Sequence, residues 1–133
     1  MKRQSGSRLR GLGGCLVVLF AVVACSGVTV LAVDQLCYTT LSQRIPLYPN
    51  AEVREERHNF IRAWGMGETY FELYTPDGSD AVGEWYGSTA GRYSREALRS
   101  NDVAYRLGTA ERSFRRADDG VGTFIQLYGT CAQ

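Results

Sequence analysis

The longest uninterrupted hydrophobic stretch lies near the start of the chain. Residues 11–33 contain no charged side chain and are rich in Leu, Val and Ala. As a helix, this stretch would reach about 34 Å, enough to cross a hydrocarbon layer of roughly 30 Å with some tilt. A helix is also the form in which a spanning segment satisfies its own backbone amides. The pattern therefore predicts a basic tail over residues 1–10 and a transmembrane helix over residues 11–33.

Beyond this run the pattern turns polar and then becomes that of a small folded domain. Residues 34–50 contain Pro46 and Pro49 and show no clear period, which is typical of a juxtamembrane linker. Residues 53–60 carry charges at nearly every position, as an edge strand or a polar hairpin arm does. We therefore expect an α+β domain over residues 51–133.

The clearest periods lie in two neighbouring segments, residues 68–75 and 79–90. The first, ETYFELYT, alternates between two faces, which predicts a strand that ends before Pro76. The second has one apolar stripe at helical spacing, formed by Ala81, Val82, Trp85, Tyr86, Thr89 and Ala90. It predicts a helix, for which Gly91 is the expected end.

The C-terminal residues predict a hairpin. The segments ERSFRRA (111–117) and TFIQLYG (123–129) flank Asp119-Gly120, a dipeptide that favours a tight turn. We expect both segments to be strands and the dipeptide to form the turn between them.

The segment between the predicted helix and this hairpin is ambiguous. Residues 92–110 could form a short helical turn, or a strand in which Val103, Tyr105 and Leu107 alternate. The element order is therefore β-β-α-(β)-β-β. Because the connections are short and only one clear helix is present, this order predicts a small antiparallel sheet with one helix packed on one face.

This fold assigns the apolar and aromatic side chains to two faces of the sheet. The expected core consists of Phe71, Leu73, Val82, Trp85, Tyr86, Ile125 and Leu127. The opposite face, here called the open face, consists of Tyr70, Glu72, Tyr74, Phe124, Gln126 and Tyr128. If the two strands are neighbours, four rings surround two polar groups, which suits a peptide, a glycan or another protein. The alternatives are that Tyr and Phe simply favour strands, or that residues 92–110 cover this face.

Charge is unevenly distributed along the chain. Lys2, Arg3, Arg8 and Arg10 precede the apolar run, whereas the rest of the chain has 11 arginines and 14 carboxylates, a net charge of −3. By the positive-inside tendency the tail is cytoplasmic and the domain extracytoplasmic. The arginines of the domain are interleaved with carboxylates, so no nucleic-acid footprint is expected.

Cys25 offers an alternative to the uncleaved membrane anchor. The sequence Val22-Val23-Ala24-Cys25 resembles a bacterial lipobox, in which the cysteine is acylated after cleavage. A lipoprotein normally becomes polar soon after that cysteine, but here the apolar run continues to Val33. We therefore favour the anchor and keep a lipoprotein accessory subunit as the alternative.

Small residues in the apolar run leave self-association open. Ala21, Cys25 and Thr29 recur at every fourth position and would lie on one side of a helix, where a second helix could approach closely. A homo-oligomer is therefore possible, although such a spacing also arises by chance in any span that contains small residues.

Two of the four cysteines are candidates for a disulfide. Cys15 and Cys25 fall inside the apolar run, whereas Cys37 and Cys131 flank the domain. In an oxidising compartment we expect the latter two to be linked, since closing so long a loop would stabilise a small domain by about 4–5 kcal/mol.

The residues that could carry catalysis show no recognisable catalytic arrangement. His58 is the only histidine and lies in a run of charges, so a solvated surface side chain is expected. We find no G-x-S-x-G or S-x-x-K motif, and G-M-G and G-V-G are bare turn signals. The expectation is a non-catalytic domain that binds or scaffolds at the cell envelope, without a metal or cofactor. An enzyme with a site around His58 is the remaining alternative.

Three short segments carry a resemblance to a known kind of protein. LYPNAEV (47–53), GMGETYFELYTPD (65–77) and VGEWY (82–86), behind an apolar N-terminal segment, resemble small membrane-anchored or exported bacterial domains of unknown function, especially of Chloroflexi type. The resemblance covers roughly residues 45–130 and implies no activity, because that group has none assigned.

Overall fold

The computed structural model describes residues 7–118 and 120–131. Its elements, in chain order, are α1 (Ser7–Arg44), β1 (Glu52–His58), β2 (Gly67–Thr75), α2 (Ser79–Arg99), a short 3-10 helix (Ala104–Leu107), β3 (Gly108–Arg116) and β4 (Thr123–Cys131). The chain divides into two units of contact, with the boundary between Ala32 and Val33.

The first unit is the apolar part of α1. Every side chain from Gly14 to Ala32 is exposed, and the helix from Gly14 to Arg44 is long and apolar enough to cross a membrane. A signal sequence near an N-terminus has the same character. The predicted apolar helix is therefore present, and none of its side chains from Gly14 to Ala32 is buried.

The second unit begins earlier than predicted. The linker expected over residues 34–50 is wrong for most of its length, because α1 continues to Arg44 and its last turns belong to the core. Cys37, Leu41 and Ile45 are completely or almost completely buried. They recur at every fourth position, so they form one stripe on a helix. Asp34 and Thr40 are also buried. Because both are polar, they interrupt the hydrophobic pattern, and the stripe is not evident in the sequence.

The four strands form one antiparallel sheet in the order β1-β2-β4-β3. Buried and partly exposed residues alternate along all of β4 and along β2 from Thr69 onward, whereas the residues of β1 are all exposed. The expected edge strand, the two C-terminal strands and the α+β class are thus confirmed, whereas the predicted Asp119-Gly120 turn includes a residue outside the described part of the chain. The buried face carries α2, as predicted, and also the end of α1, which was not predicted.

Helix α2 is longer than expected. It passes Gly91 and ends at Arg99, because its buried stripe continues from Val82, Tyr86 and Ala90 to Ala97. A glycine costs a helix only about 1 kcal/mol relative to alanine, which such packing outweighs. The strand considered within residues 92–110 is absent there; those residues complete α2, form the 3-10 helix and begin β3.

The core is centred on the sheet and the end of α1. Of the seven expected core residues, six are buried, and Trp85 is half-buried against them. The expected core did not include six further buried residues, Cys37, Leu41, Ile45, Trp64, Ala90 and Cys131. Trp64 lies in a loop with φ of 62° and packs on Phe71, with 4.9 Å between ring centroids. Its backbone N–H donates to Thr69 Oγ1 at 2.9 Å, which fixes the loop on the sheet.

Tyr86 joins the two helices of the second unit. Its ring is buried and stacks on Phe114 of β3, with 5.5 Å between ring centroids, and its hydroxyl donates to the carbonyl of Pro46, which follows α1, at 2.9 Å. Burial raises the pKa of this phenol well above its usual value of about 10, because the charged phenolate would lose its hydration.

Because the pKa of Tyr86 is higher in the folded state than in the unfolded chain, the free energy of unfolding decreases with rising pH in the alkaline range. The contribution of the protonated Tyr86 phenol to the free energy of unfolding is fully present below pH ~10, the pKa of a tyrosine in the unfolded chain. It is lost as the pH rises through the higher pKa of the folded state. We therefore expect the denaturation midpoint of the wild type to fall more steeply than that of Tyr86→Phe between about pH 9 and 12. Urea titrations of both proteins at several pH values measure this; parallel curves would contradict it.

Candidate functional site

The predicted disulfide is present. Cys37, on α1, is bonded to Cys131, at the end of β4, with 5.8 Å between their Cα atoms and 94 residues between them in sequence. Cys15 and Cys25 are free and exposed. The bond links the end of β4 to α1. It therefore closes almost the whole second unit into one loop.

The open face is assembled as predicted, because β2 and β4 are neighbours in the sheet. Their register pairs Tyr70 with Tyr128, Glu72 with Gln126, and Tyr74 with Phe124. All six side chains are half-buried. Residues 92–110 do not lie across the face, since in the described structure they belong to α2, the 3-10 helix and β3.

One end of the open face is an aromatic pair. The ring centroids of Tyr74 and Phe124 are 5.5 Å apart. The Tyr74 ring also lies against the hairpin backbone at Gly122, where a Cβ atom would approach its Cε2 atom to 2.7 Å. Any larger residue at position 122 would displace the ring, so the glycine helps to place the aromatic pair.

Arginines from the edge strands lie over three of the rings. Arg54 and Arg57 on β1 place their guanidinium carbons 5.4 Å from the Tyr74 centroid and 4.8 Å from the Tyr70 centroid. Arg115 on β3 lies 4.7 Å from the Phe124 centroid. Such contacts are each worth about 0.5–1 kcal/mol at exposed sites. The sequence analysis missed these cations, because their position depends on the pairing of the edge strands.

A chain of hydrogen bonds crosses the middle of the face. Ser113 Oγ donates to Gln126 Oε1 at 3.1 Å, and Gln126 Nε2 donates to Glu72 Oε2 at 3.0 Å. The Tyr70 hydroxyl approaches the same carboxylate oxygen at 3.4 Å. The Glu72 carboxylate is therefore held in place between the aromatic pairs, where its remaining lone pairs can accept hydrogen bonds from a ligand.

The second aromatic pair, Tyr70 and Tyr128, has phenols that resist ionisation. Partial burial raises the pKa of Tyr70, and the nearby Glu72 carboxylate raises it further. Desolvation raises the pKa of Tyr128, assisted by its hydrogen bond with Glu68 and by the charges of Glu68 and Glu111. At neutral pH both hydroxyls therefore remain neutral groups that can donate or accept a hydrogen bond.

Two shallow depressions flank this tyrosine pair. One, of about 310 Å³, is lined by Arg57, His58, Asn59, Glu68, Thr69, Tyr70 and Tyr128. The other, of about 230 Å³, is lined by Tyr70, Glu111, Arg112, Ser113, Gln126 and Tyr128. Each combines aromatic rings with carboxylate or amide groups. Their size is at or below the lower end of the range for small-molecule sites, which suits a unit as small as one sugar ring.

His58 borders the first of these depressions. Its Nδ1 atom lies 3.0 Å from the carbonyl oxygen of Phe60, and its Nε2 atom is 3.9 Å from Glu56 Oε1. His58 is an exposed residue, as expected for a surface histidine, with its side chain about one-third exposed (32%). Glu68, from the adjacent strand, lines the same depression.

Carboxylate, histidine and cysteine side chains are the common protein ligands of metal ions. Over residues 7–118 and 120–131, no three of these side chains are close enough together to hold a metal ion. The side-chain chemistry of the described part is instead that of rings, guanidinium groups, carboxylates and amides gathered on one sheet face.

No family model, curated protein or solved structure matches this chain. The resemblance to small bacterial domains of Chloroflexi type therefore stays a prediction. The apolar N-terminal helix and the disulfide-bonded second unit together have the features of a membrane-anchored or exported domain.

Proposed function

We propose that the chain is a single-pass membrane protein with a cytoplasmic N-terminus, and that its extracytoplasmic domain binds an envelope component on the open face. The observation that carries the proposal is the sequence of features along α1. A helix able to span a membrane, with every side chain exposed from Gly14 to Ala32, leads into a disulfide-bonded domain. Exposed apolar side chains all round a helix are covered by lipid in a spanning segment.

The compartment follows from charge and redox chemistry. The basic tail favours the cytoplasmic side, and a disulfide persists in an oxidising space. Both considerations support an extracytoplasmic location for residues 33–131. The resemblance to exported bacterial domains of unknown function agrees with this location but names no ligand.

A lipoprotein acylated at Cys25 is the second candidate, and one structural observation favours it. The folded unit begins at Val33, so cleavage before Cys25 would remove nothing that the core needs. Mass spectrometry of the membrane-extracted chain distinguishes the two. The anchor predicts an uncleaved apolar segment, whereas the lipoprotein predicts a new N-terminus at an acylated Cys25.

The chemistry of the open face favours a glycan as its ligand. The rings of Tyr70 and Tyr128 offer flat surfaces for the C–H face of a sugar, and Glu72 and Gln126 offer acceptors and donors for hydroxyl groups. The interleaved charges of β1 and β3 leave no continuous basic surface that would select a nucleic acid. The rings, guanidinium groups, carboxylates and amides of this face support binding, and the contacts of His58 are with the carbonyl of Phe60 and the carboxylate of Glu56.

Replacing two rings tests the role of the open face. We expect Tyr74→Ser/Tyr128→Ser to fold like the wild type, because both rings are only half-buried, yet to lose ligand binding by at least about tenfold, given that aromatic contacts carry much of such an interface. Binding of the detergent-solubilised full chain to arrays of envelope glycans and peptides measures the effect.

The control for this experiment is Val53→Ser, on the exposed edge strand outside the open face. It should bind as the wild type does. If the double variant still binds the ligands of the wild type, the open face is not the binding site. If the wild type binds peptides but no glycan, the ligand is a peptide.

A further inference from the structure

The three arginines that lie over rings of the open face each have a carboxylate partner. Their ion pairs are Arg54 with Glu52 at 2.9 Å, Arg57 with Glu55 at 2.8 Å, and Arg115 with Asp118 at 3.6 Å. The positive charge of each guanidinium group is therefore balanced by a carboxylate of the protein. The net charge of the open face depends on its remaining charged side chains.

Those remaining side chains are carboxylates around the Tyr70–Tyr128 pair. Glu111 lies directly opposite Tyr128 in the pairing of β3 with β4, so the two side chains share one face of the sheet. Glu72 approaches the Tyr70 hydroxyl at 3.4 Å, and Glu68 is hydrogen-bonded to Tyr128. Within the described part of the chain, neither Glu72 nor Glu111 forms an ion pair. This end of the open face is therefore negatively charged.

The Tyr128 phenol responds to this negative charge. Desolvation is the largest cause of its raised pKa, and the carboxylates of Glu68 and Glu111 raise that pKa further. A phenolate is disfavoured beside these groups because like charges repel, and a cation is favoured there for the opposite reason.

The smaller depression, of about 230 Å³, lies within the negatively charged end. Tyr70, Tyr128 and Glu111 line it. Arg112 lines it as well, but its guanidinium carbon lies 5.6 Å from the ring centroid of Tyr86, on the buried face of the sheet. Of the residues that line the depression, Glu111 therefore supplies the charge that a ligand meets.

Aromatic rings beside carboxylates suit an ammonium group. A cation is attracted to the face of a tyrosine ring, and its N–H groups donate to carboxylate oxygens. A neutral sugar makes the same ring contact but lacks the attraction between opposite charges, and an acidic sugar is repelled.

We infer that the open face selects a glycan whose sugar at the Tyr70–Tyr128 pair carries a free amino group, held as an ammonium ion against Glu111 and Glu72. This inference rests on the proposed glycan binding and names the class of sugar. The second aromatic pair, Tyr74 and Phe124, begins four residues further along β2, a distance of about 13 Å. A short oligosaccharide that lies along the strands can therefore contact both pairs.

Two oligosaccharides that differ only in N-acetylation test this inference. The tetramers of glucosamine and of N-acetylglucosamine have the same rings and linkages, and only the first is cationic. Calorimetry measures their binding to the full chain in an uncharged detergent without sugar groups, at about pH 6, where glutamate side chains are charged. We expect the glucosamine tetramer to bind at least about tenfold more tightly, because hydrogen bonds to a charged group are the stronger ones.

Two variants locate the ammonium group. Glu111→Gln should weaken binding of the glucosamine tetramer by about threefold or more and leave binding of the N-acetylated tetramer unchanged. The matched control is Glu84→Gln, which removes the same charge from an exposed position on α2 and should not affect either tetramer. Equal weakening by both variants would assign the effect to the overall charge of the domain and overturn the inference.

The remaining outcomes separate this inference from the proposed function. Equal affinities for the two tetramers would overturn the selection of an ammonium group and leave glycan binding intact. A lysine tetramer carries side-chain amines without sugar rings; if it bound as tightly as the glucosamine tetramer, the face would select a cationic peptide and the inference would be wrong. Binding of neither oligosaccharide would also overturn it, and the array experiment above shows separately whether the open face binds any glycan.

Discussion

Removal of the Cys37–Cys131 disulfide is expected to lower the free energy of unfolding of the second unit by about 4–5 kcal/mol, because the bond closes a loop of nearly the whole unit. Natural domains are stable by only about 5–15 kcal/mol, so this change removes much of the total. The double variant Cys37→Ser/Cys131→Ser avoids leaving an unpaired thiol. Urea unfolding of the full chain in detergent, followed by the fluorescence of the buried Trp64, measures the difference.

The other two cysteines supply the matched control. Cys15→Ser/Cys25→Ser changes the same number of thiols but no bond, since both are free, and should unfold at the wild-type midpoint. Reducing agent should shift the control variant as far as it shifts the wild type and should not affect the double variant that lacks the bond. Equal midpoints for the wild type and Cys37→Ser/Cys131→Ser would contradict a stabilising role for the disulfide.

Replacement of Leu41 by alanine is expected to cost about 3 kcal/mol, as removal of a fully buried leucine side chain commonly does. Leu41 is 0% exposed and contacts the sheet near Gly129, where a Cβ atom would lie 3.4 Å from the leucine methyl group. The substitution tests whether the end of α1 belongs to the folded unit. Urea unfolding in detergent is again the measurement.

Leu36→Ala is the control for this variant. Leu36 lies on the same helix and is 46% exposed, so its replacement should cost less than about 1 kcal/mol. If both variants unfolded at the wild-type midpoint, residues 34–44 would be the linker that the sequence pattern indicates, and the core described above would be wrong at that element.

The strands of this fold could be predicted because their periods are simple. Phe71 and Leu73 on β2, and Ile125 and Leu127 on β4, alternate with polar or aromatic residues, and one face of each strand is buried. The same alternation assigned all six residues of the open face to one side, and the antiparallel register then brought them together. Local alternation is enough wherever a strand has one buried face.

The end of α1 could not be predicted so easily, for two physical reasons. Its buried positions include Asp34 and Thr40, which a hydrophobicity pattern counts as exposed; the Asp34 carboxylate is buried only because Arg62 and the Met66 amide satisfy it. In addition, the prolines that follow at 46 and 49 are typical of a linker. The spacing of Cys37, Leu41 and Ile45 is the signal that would have revealed the helix.

The arginines over the open face depend on tertiary structure. Arg57 reaches Tyr70 because β1 pairs with β2 in one particular register, and Arg115 reaches Phe124 because β3 pairs with β4. Neither register can be read from local sequence alone. The open face is consequently less apolar than four rings would imply, and a ligand that stacks on Tyr70, Tyr74 or Phe124 must share the ring with a guanidinium group or displace it.

Labelling of single cysteines in intact cells tests the central claim most directly. In a chain with Cys15→Ala and Cys25→Ala, a membrane-impermeant maleimide is added to intact spheroplasts carrying either Val121→Cys, in the domain, or Ser5→Cys, in the basic tail. We predict that position 121 is labelled without lysis, that position 5 is labelled only after lysis, and that both chains sediment with the membranes. Labelling of position 121 only after lysis, or recovery of the chain in the soluble fraction, would contradict a membrane anchor that holds the domain outside the cell.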